Sequence, residues 1–198
     1  TGADQPVVFI AQLVSLKEDG KEGKQTKKMS KRAGNVILLR DLVGEFGIDI
    51  VRWFFNEKTL STQMIFDMAL ARERSEKNPV FYAQYTHARL GSIADKCKSL
   101  KEGSANEFSE LARIPSAREL ALKIAEFHEV VIKITRDYGV HALTCYATSL
   151  AIIANSFYRD ARVIEGGTFN PSALALALRA KETLADTLAL LGISAPER

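Results

Sequence analysis

Lys28-Met29-Ser30-Lys31-Arg32, followed by Ala33-Gly34-Asn35, has the composition of a phosphate clamp. Lys28 and Lys31 set two ammonium groups three residues apart in a segment poor in apolar residues, between Gly20 and Gly23 on one side and Gly34 on the other. A mobile basic loop of this kind can neutralise phosphate oxygens as charge builds up in a reaction. A second cluster lies on Asn78–Arg89, where Tyr82, Gln84, Tyr85, His87 and Arg89 fall within two helical turns. Aromatics able to stack on bases, beside hydrogen-bonding and cationic groups, suit a nucleic-acid loop with splayed bases. Further along the chain, Tyr158 has Arg159 and Arg162 close beside it in sequence.

The rest of the chain is ordinary. Its 198 residues, 46% apolar and 26% charged, are typical of a globular protein with a core of its own. No apolar run of about 18 residues and no cationic-then-apolar leader occurs, so a cytoplasmic protein is expected. Cys97 and Cys145 stand far apart without a CxxC, and His87, His128 and His141 are scattered. That pattern gives no disulfide framework and no metal site. The net charge of +3 conceals a concentration: seven basic and three acidic residues between Lys17 and Arg32. The remainder is close to neutral.

Local signals place these groups on elements. Val7–Ile10 and Leu13–Leu16 have the β-branched, apolar character of a strand or hairpin, with Asp19-Gly20 as a turn. From Asp41 the apolar period lengthens to that of a helix. Asp49–Phe55 reads as a short buried helix, and a second is expected from about Thr62 to Ser75. Asn78-Pro79 is an N-cap with Pro in the first turn, and Ala83, Leu90, Ile93, Ala94, Cys97 and Leu100 form the stripe behind it. Gly103–Ile114 is a polar connection with one short helix. Ser116-Ala117-Arg118-Glu119 has the form of a capping box. An apolar face then runs through Leu120, Ile124, Phe127, Val131, Ile134 and Tyr138 to Gly139. Leu143, Tyr146, Leu150, Ala154, Phe157 and Ala161 continue the pattern, which puts Phe157 in the core and Tyr158 off the stripe. Asn170-Pro171 caps a last helix with Leu174, Leu178, Leu184, Leu188 and Leu191, ended by Gly192. The expected fold class is mainly α, an antiparallel helical bundle preceded by a short strand or hairpin.

Several strings together resemble the arginyl-tRNA synthetases. Lys28–Asn35 resembles the KMSKS loop of class I aminoacyl-tRNA synthetases, with Arg32 in place of the final Ser. Asp49-Ile50-Val51-Arg52 is similar to the DALR element, and is read as packing: Asp49 and Arg52 can satisfy helix-end groups or each other. Asn78–Arg89 resembles the family's NPVYYVQYAHAR segment. Asn155–Val163, with His141-Ala142-Leu143 before it, resembles the penultimate helix, and Ala195-Pro196-Glu197-Arg198 the family's end without its further Met.

The resemblance implies a C-terminal part of an arginine–tRNA ligase with three portions. Residues 1–40 would be the tail of a class I Rossmann-like catalytic domain, 41–77 a helical connector, and 78–198 a DALR-type anticodon-binding bundle. It implies ATP, with Mg2+, and arginine as substrates of the parent, the anticodon arm of an arginine tRNA as partner, and a monomer. No other metal or organic cofactor is implied. Lys28 and Lys31 would neutralise the departing pyrophosphate, and Met29, Ser30 and Arg32 would complete the ATP-binding loop. Tyr82, Gln84, Tyr85, His87, Arg89, Tyr158 and Arg162 would be the tRNA-binding set. No HIGH-like sequence occurs, so the fragment alone is expected not to activate amino acids. Two alternatives stay open: a cysteinyl- or methionyl-tRNA synthetase fragment, and a non-catalytic tRNA-binding module.

Overall fold

Strand formation begins later than the β-branched residues suggest. A computed structural model of the chain describes residues 7–17, 26–27, 37–103 and 108–197. The first strand, β1 (Val14–Lys17), pairs antiparallel with β2 (Thr26–Lys27), Leu16 opposite Lys27. Residues 7–13 form no strand, which corrects the expectation for Val7–Ile10. A strand needs a neighbour's ladder; among the described residues this stretch has an isolated backbone bond, Gln12 N–H donating to Leu60 O.

Two short helices follow. In α1 (Leu39–Phe46) the Asp41 carboxylate accepts from the Leu38 N–H, closing the first turn. Gly47, at φ 84°, breaks the chain between α1 and α2 (Ile48–Asn56), a conformation that favours glycine. The helix expected from Thr62 is replaced by β3 (Met64–Asp67) and a short α3 (Met68–Arg72). The cause is tertiary. Met64 and Phe66 point inward while Ile65 is exposed, a period of two, and β3 lies parallel to β1 with Leu16 opposite Phe66. Phe66 then collects Phe46, Phe54 and Phe55 around it, at ring centroids of 5.3, 5.3 and 6.2 Å. Asp67 ends the strand and caps α3, its carboxylate accepting from Leu70 N–H at 3.1 Å.

The larger body is helical. In α4 (Pro79–Cys97) the Asn78 side chain accepts from Val80 N–H, as the Asn-Pro signal predicts. A two-residue strand, β4 (Lys101–Glu102), and α5 (Phe108–Leu111) lead to α6 (Pro115–Asp137) and α7 (His141–Asp160). The chain then forms a hairpin, β5 (Ile164–Glu165) and β6 (Thr168–Phe169), turning on Gly166 and Gly167 at φ 58° and 80°. β4 adds to β6 in parallel, and α8 (Pro171–Leu190) closes the fold, its Asn170 cap accepting from the Ser172 and Ala173 N–H groups. Two sequence expectations fail here. The capping box at Ser116 does not form: Ile114 is the N-cap and Pro115 takes the first position, where its missing N–H costs nothing. Ser116 Oγ is buried without a hydrogen-bond partner among the described residues. Tyr138 leaves the apolar face of α6 and caps it in the left-handed conformation at φ 57°, its ring edge-on to Phe9 at 5.2 Å.

The core sits between α4, α7 and α8, with α6 packed across α7 and α8. Ala147, Ala151 and Ala154 on α7 and Ala173, Ala177 and Ala180 on α8 are buried, small enough to bring backbones close. Leu150, Phe157, Leu184 and Leu188 fill the space between and are fully enclosed. The short turn between α6 and α7 makes them antiparallel neighbours. The chain is mainly α, as its sequence indicates.

Candidate nucleic-acid interface

Helix α4 has two working faces. Val80, Ala83, His87 and Leu90 point into the bundle, which leaves Phe81, Tyr85 and Arg89 in a row four residues apart on the outside. Phe81 and Tyr85 stack nearly parallel, centroids 6.0 Å apart and 5° between planes. The Arg89 guanidinium lies 4.6 Å from the Tyr85 ring centroid and donates through Nη2 to the Tyr85 hydroxyl at 2.8 Å. Helix α7 supplies the other wall: Arg89 is 5.5 Å from the Tyr158 ring centroid. Phe81, Tyr85 and Tyr158 are 36%, 42% and 37% exposed, so the row is an outward-facing aromatic strip with one cation inside it. Phe157 beside Tyr158 is buried, as the stripe predicts.

Polar groups in the helix pair hold that strip from behind. Arg89 Nη1 donates to Asn155 Oδ1 at 2.7 Å, and Asn155 Nδ2 donates to Thr86 Oγ1 at 2.7 Å and to Ala151 O at 3.0 Å. Thr86 Oγ1 in turn donates to Tyr82 O at 2.8 Å. Asn155 and Thr86 are both buried.

The remaining expected contact residues fall elsewhere. Gln84 Nε2 donates to Asp49 Oδ2 at 2.9 Å and to Ser194 O at 3.0 Å. His87 is 2% exposed, its Nδ1 2.8 Å from Pro196 O. Both side chains therefore face the C-terminal tail and not the aromatic strip. Tyr82 is half-buried on the next face of α4. Arg162 follows α7 at φ 39° and pairs with Glu165 at 2.7 Å, and Arg159 donates to Ser156 Oγ at 3.1 Å. Lys28, Met29, Ser30, Lys31 and Arg32 lie outside the described residues.

Asp49 and Arg52 act together on that tail. The Asp49 carboxylate accepts from Ser194 N–H at 3.2 Å and from the Ser194 hydroxyl, and Arg52 Nη1 donates to Gly192 O. They hold the segment after α8, not each other. Lys181 completes the fastening on Glu197 at 2.5 Å, a contact that lowers the Glu197 pKa below its ordinary value. Sequence reading missed Phe81 and Asn155. The signal for Phe81 was its spacing of four from Tyr85, and for Asn155 a lone amide in an apolar helix.

Comparison with known proteins bears on this arrangement. The family model described as the DALR anticodon binding domain matches residues 83–198, more than half of the chain. The chain belongs to the DALR anticodon-binding domain family. The DALR match takes in most of α4 and all of α6, α7 and α8, and with them Tyr85, Arg89 and Tyr158. Arginine–tRNA ligase 1 of Halalkalibacterium halodurans is 41% identical over 98% of this chain and 35% of its own length. An arginine–tRNA ligase of Staphylococcus aureus is 37% identical over 96% of this chain and 34% of its own. The chain thus spans about a third of the length of these curated relatives. A Campylobacter jejuni structure assigned as an arginyl tRNA synthetase superposes with a TM-score of 0.76 at 25% identity, covering 95% of this chain and 40% of that one.

Proposed function

We propose that this chain is the C-terminal part of an arginine–tRNA ligase, and that its bundle binds the anticodon arm of an arginine tRNA through the strip on α4 and α7. The parent would join arginine to ATP with release of pyrophosphate and then pass the arginyl group to its tRNA. Residues 1–40 would close the catalytic domain, with Lys28 and Lys31 against the departing pyrophosphate and Met29, Ser30 and Arg32 along the ATP. Residues 41–77 connect, and 78–198 read the RNA.

The observation that carries the reading is the pair of exposed rings Tyr85 and Tyr158 with the half-buried Arg89 between them, on a DALR domain whose relatives are arginine–tRNA ligases. A base can lie on either Tyr ring, and Arg89, a donor without acceptors, can address a base carbonyl or ring nitrogen. Phe81 extends the stacking surface. Tyr82 and Arg162 remain further candidates for contact with the RNA, while Gln84 and His87 support the strip by fastening the tail. Charge is a minor contributor, because residues 78–198 carry nearly as many acidic as basic side chains and a phosphate-driven complex would need a basic excess.

The test is a titration of the chain with two stem-loop RNAs of equal length and charge, one carrying an arginine anticodon and one a scrambled loop. The arginine loop should bind tighter, with a shallow salt dependence. Equal affinity for both RNAs, or binding that vanishes in moderate salt, overturns the reading.

A further inference from the structure

The Arg89 guanidinium stands at the surface, and its orientation is decided in the interior. Arginine has a long side chain with many rotamers, so a cation that must meet a base edge gains from being held in advance. The Tyr85 hydroxyl holds one end of the fork, and the other end is held by Asn155 Oδ1. Asn155 is buried on α7 between Ala151 and Ala154 above and Phe157 below, where an amide is costly and an apolar residue would pack.

We propose that Asn155 is a positioning residue for the RNA site: it presents Arg89 to the bound base without touching the RNA. The direction of its amide is fixed by its neighbours. Thr86 spends its hydroxyl proton on Tyr82 O, so Thr86 Oγ1 can only accept, and it draws the Asn155 NH2 toward itself. Ala151 O accepts from the same nitrogen. The Asn155 carbonyl is thereby turned outward onto Arg89, which can only donate. Tyr82 O, Thr86, Asn155 and Arg89 form one directed chain from the backbone of α4 through α7 to the surface. With Nη1 held by Asn155 and Nη2 by Tyr85, the guanidinium plane is set and its remaining donors keep one heading. That constraint makes the strip selective for a base bearing an acceptor edge at one place. The proposal rests on the RNA-binding reading for its consequence, but its geometry can be tested apart from it.

The experiment is a double-mutant cycle of Asn155→Ala and Arg89→Ala on affinity for the arginine-anticodon stem-loop, with folding checked by circular dichroism. Asn155→Ala should weaken binding about tenfold in the native background and not at all in the Arg89→Ala background. The same loss in both backgrounds, or no loss in either, overturns the proposal. Thr86→Val removes the acceptor that orients the amide at nearly constant volume, and should show a smaller loss that also disappears with Arg89→Ala. If neither variant folds, the native chain decides: nitrogen-15 NMR should find rotation about the Arg89 Nε–Cζ bond slow relative to the other arginines. Fast rotation in the native chain overturns the proposal. A native chain with slow Arg89 rotation and no affinity for either stem-loop would leave the positioning intact and sink the anticodon reading instead.

Discussion

At the residue scale, neighbouring aromatics in one helix have opposite fates. Phe157 is enclosed, and Tyr158 leans outward over Arg89. Truncating a large buried aromatic costs about 3–5 kcal/mol of stability, whereas losing one stacked base costs about 1–3 kcal/mol of binding. Tyr158→Ala should accordingly weaken the stem-loop complex by about tenfold to a hundredfold and lower the melting temperature only slightly. Phe157→Ala should do the reverse, with a deep loss of stability. Measuring melting and affinity on both variants separates the roles, and a large melting drop with unchanged affinity for Tyr158→Ala would move the contact to Tyr85.

At the element scale, the segment after α8 is held as a strap. Gly192 turns the chain at φ 68°, its carbonyl accepting from Arg52, and Ser194 and Pro196 reach Asp49, Gln84 and His87 in turn. A Cβ on Gly192 would stand 2.9 Å from Arg52 Nη1, so alanine there meets both an unfavourable φ and the side chain that holds the strap. Gly192→Ala should cost about 1–2 kcal/mol from the left-handed conformation alone, plus the lost bond to Arg52. In an Arg52→Ala background the collision is absent, so the second substitution should cost less than the first did. Thermal melts of the two singles and the double check this, and strict additivity would mean that the added Cβ leaves the Arg52 contact undisturbed. Through these contacts two residues of the short helix α2 fasten the end of the chain that follows α8.

For the whole molecule, the β1–β3 layer is tied across its end by Lys17 and Asp67 at 2.5 Å. Partial burial alone would raise the Asp67 pKa. The Lys17 ammonium and the Leu70 and Ala69 N–H groups outweigh it and hold the carboxyl below its ordinary value. A depressed folded pKa gives stability that is fully present above the unfolded value, about 4, and fades as pH falls through the folded one. Lys17 is about one-third exposed, so the effect is screened and small. Melting temperatures of the native chain and of Asp67→Asn should differ at neutral pH, the native chain being more stable, and should converge below about pH 4. A gap that stays constant down to pH 3 would show that the ion pair does not contribute. Tyr146 belongs to the same scale. Burial first, then Glu126, raise its pKa well above the usual phenol range, so it stays a neutral donor to Lys123 O and ties α7 to α6 throughout this window.

Much of the helical body was legible because its signals are local. The Asn-Pro starts of α4 and α8, the apolar stripe of α7 and the glycine after α8 each act within a few residues of where they stand. Tyr85, Arg89 and Tyr158 could be named from type and spacing, and Phe157 assigned to the core from its stripe. Contacts between distant residues could not be read that way. β3 is a strand because β1 lies beside it, and Ser116 is not a cap because Pro115 takes the first position ahead of it. Arg52 meets Gly192 across 140 residues, and Gln84 clasps Ser194. Periodicity tells which face of a helix is wet and says nothing about what approaches it. Whether a polar group on that face serves the solvent, the tail or a neighbouring guanidinium was decided only by tertiary packing, because a hydrogen bond depends on a partner within about 3 Å and the chain brings that partner from anywhere along its length.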